Sequence, residues 1–254
     1  MKLEYNLDFI NDKKSESQIK KAVSYLEKAF YSGKETRSFF LDPFEINIIK
    51  TIAKKNNISI KFLGGNENCE RKVFIANPNN NSKRKYIKIL KSNFSGELKH
   101  PDVLGAILSL ELTREKIGDI IVFDNFLEVA ITEEDADYVK YNLTKINKVS
   151  VNLTIKENNE LDLMPLSYKA HFAFISSLRL DNIVSEVINI SRSKAKEMIQ
   201  KKKVKVDFLY RIDPSYIINT GSMISISHFG RFIFDEVIGQ SKKGNYRIKY
   251  REVV

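Results

Sequence analysis

The 254-residue sequence predicts an α+β protein built in three parts. Three observations carry that expectation. Apolar residues recur at helical spacing as far as Asn57 and switch to alternation from Ile58. Two amphipathic helices then interleave with the alternating runs, as in a small ferredoxin-like α+β domain. Finally, a pair of short helices leads straight into the alternating Val204-Lys205-Val206. The parts are an N-terminal helical part over 1–57, a middle α+β domain over 58–157, a linker over 158–175 and a C-terminal domain over 176–254.

The first helix follows from Ile19, Val23, Leu26 and Phe30, behind a Ser15-Glu16-Ser17 start and ahead of Gly33. A second is announced by Asp42 as N-cap, Pro43 at the first helical position and Glu45 in the first turn, with Phe44, Ile48, Ile49 and Ile52 as its apolar face. Asn56-Asn57 closes it. Ile58, Ile60 and Phe62, then Val73 and Ile75, then Tyr86, Ile87 and Ile89 read as strands, with a polar loop from Asn77 to Ser82. His100-Pro101-Asp102 opens a helix, Ile120 to Phe123 turns at Asp124-Asn125 into Leu127 to Ile131, and Thr132 caps a helix with Glu133, Glu134 and Asp135 in its first turn. Val149, Val151, Leu153 and Ile155 alternate as one last strand of the middle domain.

In the C-terminal part, Leu180, Ile183, Val184, Val187 and Ile188 form one apolar face, with Asp181, Asn182, Ser185 and Glu186 opposite. Ser191 caps a second helix whose inner stripe is Ala195, Met198 and Ile199 and whose outward face carries Arg192, Lys194, Lys196 and Lys201. The basic surface continues through Lys202 and Lys203 onto the strand bearing Lys205. Turns at Asp213-Pro214-Ser215 and Thr220-Gly221-Ser222, strands from Met223 and Gly230, and a Lys242-Lys243-Gly244-Asn245 hairpin complete the chain. The last strand aligns Arg247, Lys249 and Arg251 on one face.

The net charge is +10. Residues 177–254 hold 15 Lys+Arg against 8 Asp+Glu, whereas residues 1–176 hold 27 against 24. That concentration favours a polyanionic partner for the last third, because each cation set on a phosphate releases condensed counterions. One cysteine, Cys69, excludes an internal disulfide, and His100, His171 and His228 are scattered, so no metal site is expected. No glycine-rich phosphate loop appears and no cofactor is expected. No apolar run approaches the roughly 20 residues a bilayer requires, and Met1-Lys2-Leu3-Glu4-Tyr5 lacks a signal-peptide core, so a cytoplasmic location with no membrane partner is expected.

Arg179-Leu180-Asp181, Ser191-Arg192 with Ala195, Val204-Lys205-Val206 and Gly221-Ser222 before Ile224 resemble the RNA-binding domain named after ribosomal protein S-four. This chain departs from that pattern at Lys202, where the family usually has glycine, at Asp207, usually asparagine, and at Ser222, usually aspartate. Further upstream, Phe39-Phe40-Leu41-Asp42-Pro43, Phe62-Leu63-Gly64-Gly65, His100-Pro101-Asp102-Val103-Leu104-Gly105, Thr113 to Ile120 and Asn142 to Ile146 resemble the YlmH family of bacterial RNA-binding proteins. The likeness runs from Tyr31 to the C-terminus. It implies a helical N-terminal part, a middle domain similar to an RNA-recognition fold (RRM-like), and a C-terminal S-four type domain. It further implies ribosomal RNA of the large subunit, tRNA and the large ribosomal subunit itself as partners, in ribosome-associated quality control.

The expected RNA-binding residues are Arg179, Ser191, Arg192, Lys194, Lys201, Lys202, Lys203 and Lys205, with Arg231 close by. No catalytic residue is expected. Arg179-Leu180-Asp181 also resembles the catalytic aspartate motif of pseudouridine synthases, which leaves an RNA-modifying enzyme as an alternative. Against it, no separate catalytic domain remains, and Asp181 can pair with Arg179 or Arg192. The charged Thr113-Arg114-Glu115-Lys116 with Gly118-Asp119 reads as a structural loop or an RNA contact, since no base and nucleophile accompany it. A partner-binding scaffold linked to cell division is the other alternative.

Overall fold

The computed structural model describes residues 3–8, 10, 13–79, 86–162 and 167–253, so the last part of the expected polar loop, 80–82, lies outside it. The chain divides into two compact units, Met1–Met164 and Pro165–Val254.

The first unit opens with helices α1 (Lys13–Ser32) and α2 (Pro43–Lys55), the short strand β1 (Thr36–Arg37) lying between them. Gly33 ends α1 in the left-handed region, φ 65°. The start of α2 is a complete capping box: Asp42 Oδ1 accepts from the Glu45 backbone at 2.9 Å and Glu45 Oε2 accepts from the Asp42 backbone at 2.8 Å. Strands β2 (Ile60–Leu63) and β3 (Val73–Ala76) join β1 in a sheet of order β1-β3-β2. The expected boundary at residue 57 falls between α2 and β2. Ile58, Phe74 and Ala76 share a core with Ile19, Leu26, Ile49 and Ile52 of the helices, while Val73 packs with Ile87, Ile89 and Ala130 of the strands that follow. Helical and alternating periodicity reveal elements but not which core each one fills.

The middle domain runs β4 (Ile87–Asn93), α3 (His100–Leu108), β5 (Ile117–Phe123), β6 (Phe126–Thr132), α4 (Glu133–Asn142), β7 (Lys145–Ile146), β8 (Val149–Ser150) and β9 (Thr154–Ile155). The sheet order β5-β6-β4-β9, all antiparallel, together with the β-α-β-β-α-β succession, is the ferredoxin-like arrangement of RRM-like domains. The run from Val149 to Ile155 is not one strand. Val149 closes a two-stranded hairpin with Ile146, and Val151 and Leu153 turn into the core before β9 begins. Nor does Thr132 cap α4 with its side chain; its hydroxyl donates to Asp135 Oδ2 at 2.6 Å.

The second unit contains β10 (Tyr168–Ile175), α5 (Leu180–Val187), α6 (Arg192–Gln200), β11 (Val204–Val206), β12 (Leu209–Tyr210), β13 (Met223–Ile226), β14 (Gly230–Gln240) and β15 (Tyr246–Val253). Its six-stranded sheet has the order β10-β15-β14-β13-β11-β12. The expected linker over 158–175 is therefore corrected: its second half is a full edge strand paired with β15 from Tyr168↔Val253 to Ile175↔Tyr246, and 163–166 lie outside the described residues. One face of the sheet, with Ile175, Ile248, Phe232, Phe234, Ile224 and Val204, packs on Leu180, Ile183, Ala195 and Ile199 of the helices.

Candidate nucleic-acid interface

The start of α5 is fastened before any side chain is considered. The Leu180 backbone N–H donates to Tyr216 O at 2.8 Å and that of Asp181 to Pro214 O at 3.0 Å, so the Asp213-Pro214-Ser215 turn and the residue after it hold the helix entry in place. Asp181 then organises the cations. Expected on the outward face, its carboxylate is instead fully buried. It accepts from Arg179 Nε and Nη2 at 3.1 Å each and from Arg192 Nη2 at 3.2 Å, with Lys196 Nζ 3.9 Å away. Burial disfavours its charge, but the hydrogen bonds from Arg179 and Arg192 outweigh that and hold the acid below the ordinary carboxylate value. One buried anion thus ties α5 to α6 and fixes two guanidinium groups that remain part-exposed.

The second helix begins as expected, with Ser191 Oγ accepting from the Lys194 backbone at 3.3 Å. Its end settles the geometry at Lys202. Lys203 N–H donates to Met198 O and Lys202 N–H to Ile199 O, both at 3.0 Å, and Lys202 has φ 55°. These two bonds define a Schellman motif, whose left-handed position glycine usually fills. Here a lysine takes it, and Lys201, Lys202 and Lys203 are all exposed, with Lys201 Nζ 2.6 Å from Glu197. The next turn, Asp207-Phe208, has positive φ at both residues (50° and 70°), the signature of a type I′ hairpin. Asp207 Oδ2 accepts from Ser222 Oγ at 3.1 Å and Oδ1 from the Met223 backbone at 2.9 Å. The two positions that depart from the family pattern, 207 and 222, are thus hydrogen-bonded to one another.

The expected residues fall into two groups. Arg179, Ser191, Arg192, Lys194, Lys201, Lys202 and Lys203 lie along the two helices and the turn that follows. Lys205 and Arg231 lie on the sheet face turned away from the helices, in line through Ser225. Sequence reasoning did not single out three exposed aromatics of β10, Tyr168, Phe172 and Phe174, on that same outer face. Their signal was the alternation Tyr168-Lys169-Ala170-His171-Phe172, hidden by treating the segment as linker.

The middle domain offers less. The sheet face away from its helices is partly covered, since Ile87, Ile89 and Ala130 pack on Phe40, Cys69, Val73 and Leu161. Beside them lies a cavity of about 460 Å³ with Lys91, Phe126, Glu128 and Lys156 in its wall. Lys156 there bridges Glu128 at 2.7 Å and Asp162 at 2.5 Å. The Thr113–Asp119 stretch is a clasp. Asp119 accepts from the backbones of Glu70 at 2.6 Å and Arg71 at 3.0 Å, and Arg71 donates to the carbonyls of Ile117 at 3.1 Å and Phe40 at 2.8 Å. Burial pulls the Arg71 guanidinium below its ordinary value, against the charges of Glu45, Asp42 and Asp119. Among the described residues no group of His, Cys, Asp and Glu could hold a metal ion, and no helix is long and apolar enough to cross a membrane.

Residues 86–160 match the family described as "Putative RNA-binding domain in YlmH", and residues 178–224 match the S4 domain. The chain is 29% identical over 223 residues, 83% of its own length and 84% of the relative's, to the "Ribosome-associated protein quality control protein P2" of Bacillus subtilis (strain 168). Among solved structures, "Cell division protein ylmH from Streptococcus pneumoniae" covers 63% of this chain with all of its own length, at a TM-score of 0.51 and 18% identity. That last likeness is one of fold.

Proposed function

The chain joins the YlmH RNA-binding domain to an S4 domain, and from that pairing we propose that it is a cytoplasmic protein that grips RNA on the large ribosomal subunit, beside tRNA, and acts in ribosome-associated quality control. The relative's name supports the setting. The observation that carries the grip is the buried Asp181 carboxylate, which holds Arg179 and Arg192 in fixed positions on the helix pair that the exposed Lys201-Lys202-Lys203 turn follows. Cations pinned in this way present donors at set spacing with little side-chain entropy left to lose, which suits phosphate backbones of folded RNA recognised by shape.

The protein works by binding and performs no chemistry of its own. A catalytic aspartate has to reach its substrate, whereas Asp181 is fully buried and spends both oxygens on arginines. Its place is structural, and this weighs against a nucleotide-modifying role. Arg179, Ser191, Arg192, Lys194, Lys201, Lys202 and Lys203 form the gripping surface, with Lys205 and Arg231 on the adjoining sheet. Co-sedimentation of the full chain with separated ribosomal subunits tests the reading: the protein travels with the large subunit, and replacing Lys201, Lys202 and Lys203 by alanine releases it. Sedimentation with neither subunit would contradict it.

A further inference from the structure

The outer face of the C-terminal sheet has a chemistry different from that of the helix pair. Along the edge strand β10, Tyr168, Phe172 and Phe174 point the same way by strand alternation, and they are 40%, 58% and 55% exposed. The neighbouring strand sets Arg251, Lys249 and Arg247 opposite Ala170, Phe172 and Phe174. Arg247 stands 5.8 Å from the Phe172 ring centre and Arg251 4.7 Å from that of Tyr168. The face is continuous: one rung runs from Lys205 through Ser225, Arg231 and Val253 to Tyr168. Two acids share it, Asp235, engaged by Arg251 at 2.8 Å, and Glu236, opposite Lys249. Five cations against two acids leave the face basic.

Isolated exposed aromatics are ordinary, but three on the same face of one strand, each beside a cation, are a stacking platform. A purely apolar protein contact does not call for the interleaved arginines and lysine, whereas unpaired RNA uses both, its bases on the rings and its phosphates on the cations. The spacing suits it too, since Phe172 and Phe174, two apart on the strand, are roughly 6.8 Å from one another, and Tyr168, beyond Ala170, is about twice that from Phe172, which separates stacked bases rather than crowding them.

We infer that this face is a second RNA-binding site, in which Tyr168, Phe172 and Phe174 stack the bases of an unpaired strand while Arg247, Lys249 and Arg231 hold its phosphates. It takes single-stranded RNA, and it is separate from the helix pair that grips folded RNA.

The test uses the full chain and a fluorescein-labelled 12-nucleotide uridine oligomer, about the length one such face can cover. Replacing both Phe172 and Phe174 by alanine, two exposed positions whose loss leaves the core intact, lowers oligomer affinity about tenfold or more and leaves a base-paired RNA hairpin bound as before. The reciprocal variant, Lys201, Lys202 and Lys203 to alanine, weakens the hairpin more than the oligomer. Because the chain has no tryptophan, F172W supplies a single reporter whose emission is quenched when a base stacks on it. Unchanged oligomer affinity in the double variant, or unquenched F172W emission at saturation, would overturn the inference. So would a double variant that loses the ribosome but keeps the oligomer, which would assign the face to a protein contact.

Discussion

Arg179 lies alongside Asp181 with Nε on Oδ1 and Nη2 on Oδ2, both at 3.1 Å, and Arg192 closes on Oδ1 from the next helix. A carboxylate taken fully out of water is stable only while these partners are present. Replacing Asp181 by alanine leaves two arginines facing each other and costs about 2–4 kcal/mol, read as a lower unfolding midpoint in denaturant. The acid is held below its unfolded value, so its stabilisation is present above about pH 4 and is lost as pH falls through the depressed folded value. The D181N variant loses that acid limb, and equal stability in D181N and the parent at pH 7 would deny the carboxylate its role.

Lys202 separates charge from conformation. Its φ of 55° in a Schellman turn is a position that glycine occupies without strain. Lys202→Gly therefore stabilises the second unit by about 1 kcal/mol while removing a cation from the proposed grip. Thermal unfolding rises and the slope of log affinity against log salt falls by about one counterion. A midpoint that falls instead would mean that the lysine side chain contributes more than its backbone costs.

Two glycines of the first unit behave oppositely. A Cβ at Gly118 would stand 2.6 Å from Phe40 Cε1 and 2.8 Å from Ala130 Cβ, both in the core between the first sheet and the middle domain. G118A costs about 1–3 kcal/mol through overpacking. Gly105, in the interior of α3, has nothing within 4 Å of such a Cβ, so G105A gains about 0.5–1 kcal/mol from helix propensity. Comparing the two unfolding midpoints checks the contrast.

Glu45 carries a pH dependence of the opposite sign to that of Asp181. Burial, with the nearby Asp42 charge, raises it to about 7. A carboxyl raised above its unfolded value contributes stability that is full below about pH 4.5 and disappears as pH rises through about 7. The shift is worth on the order of 3 kcal/mol. Glu45→Gln keeps an acceptor for the Asp42 backbone and removes the titration, so the first unit becomes flatter in stability between pH 5 and 8. A variant with the parent's pH profile would exclude Glu45 as its source.

Much of the helix pair was legible in the sequence because local chemistry decides it: Ser191 caps, Ala195, Met198 and Ile199 form the inner stripe, and Asp42-Pro43 with Glu45 writes a capping box. The fold class was legible for the same reason. What periodicity does not carry is non-local assignment. Phe74 and Ala76 alternate like middle-domain residues but fill the core of α1 and α2. Asp181 has the helical phase of an outward residue, yet two arginines, one of them eleven positions away, repay its burial. The β10 strand was lost because its partner, β15, lies some 80 residues downstream, and a strand with exposed aromatics on one face looks like a linker until that partner is found.

We propose that the turn from Lys201 to Lys203, at the far end of the helix that Arg192 opens, grips RNA through phosphates. Its most direct test is the affinity of the full chain for a large-subunit ribosomal RNA fragment as a function of salt, for the parent and for the variant with all three lysines replaced by alanine. The expected result is a steep decline with salt in the parent and a slope smaller by roughly two to three counterions in the variant, with weaker binding at every salt concentration. A parent affinity indifferent to salt, or an identical slope in the variant, would contradict it.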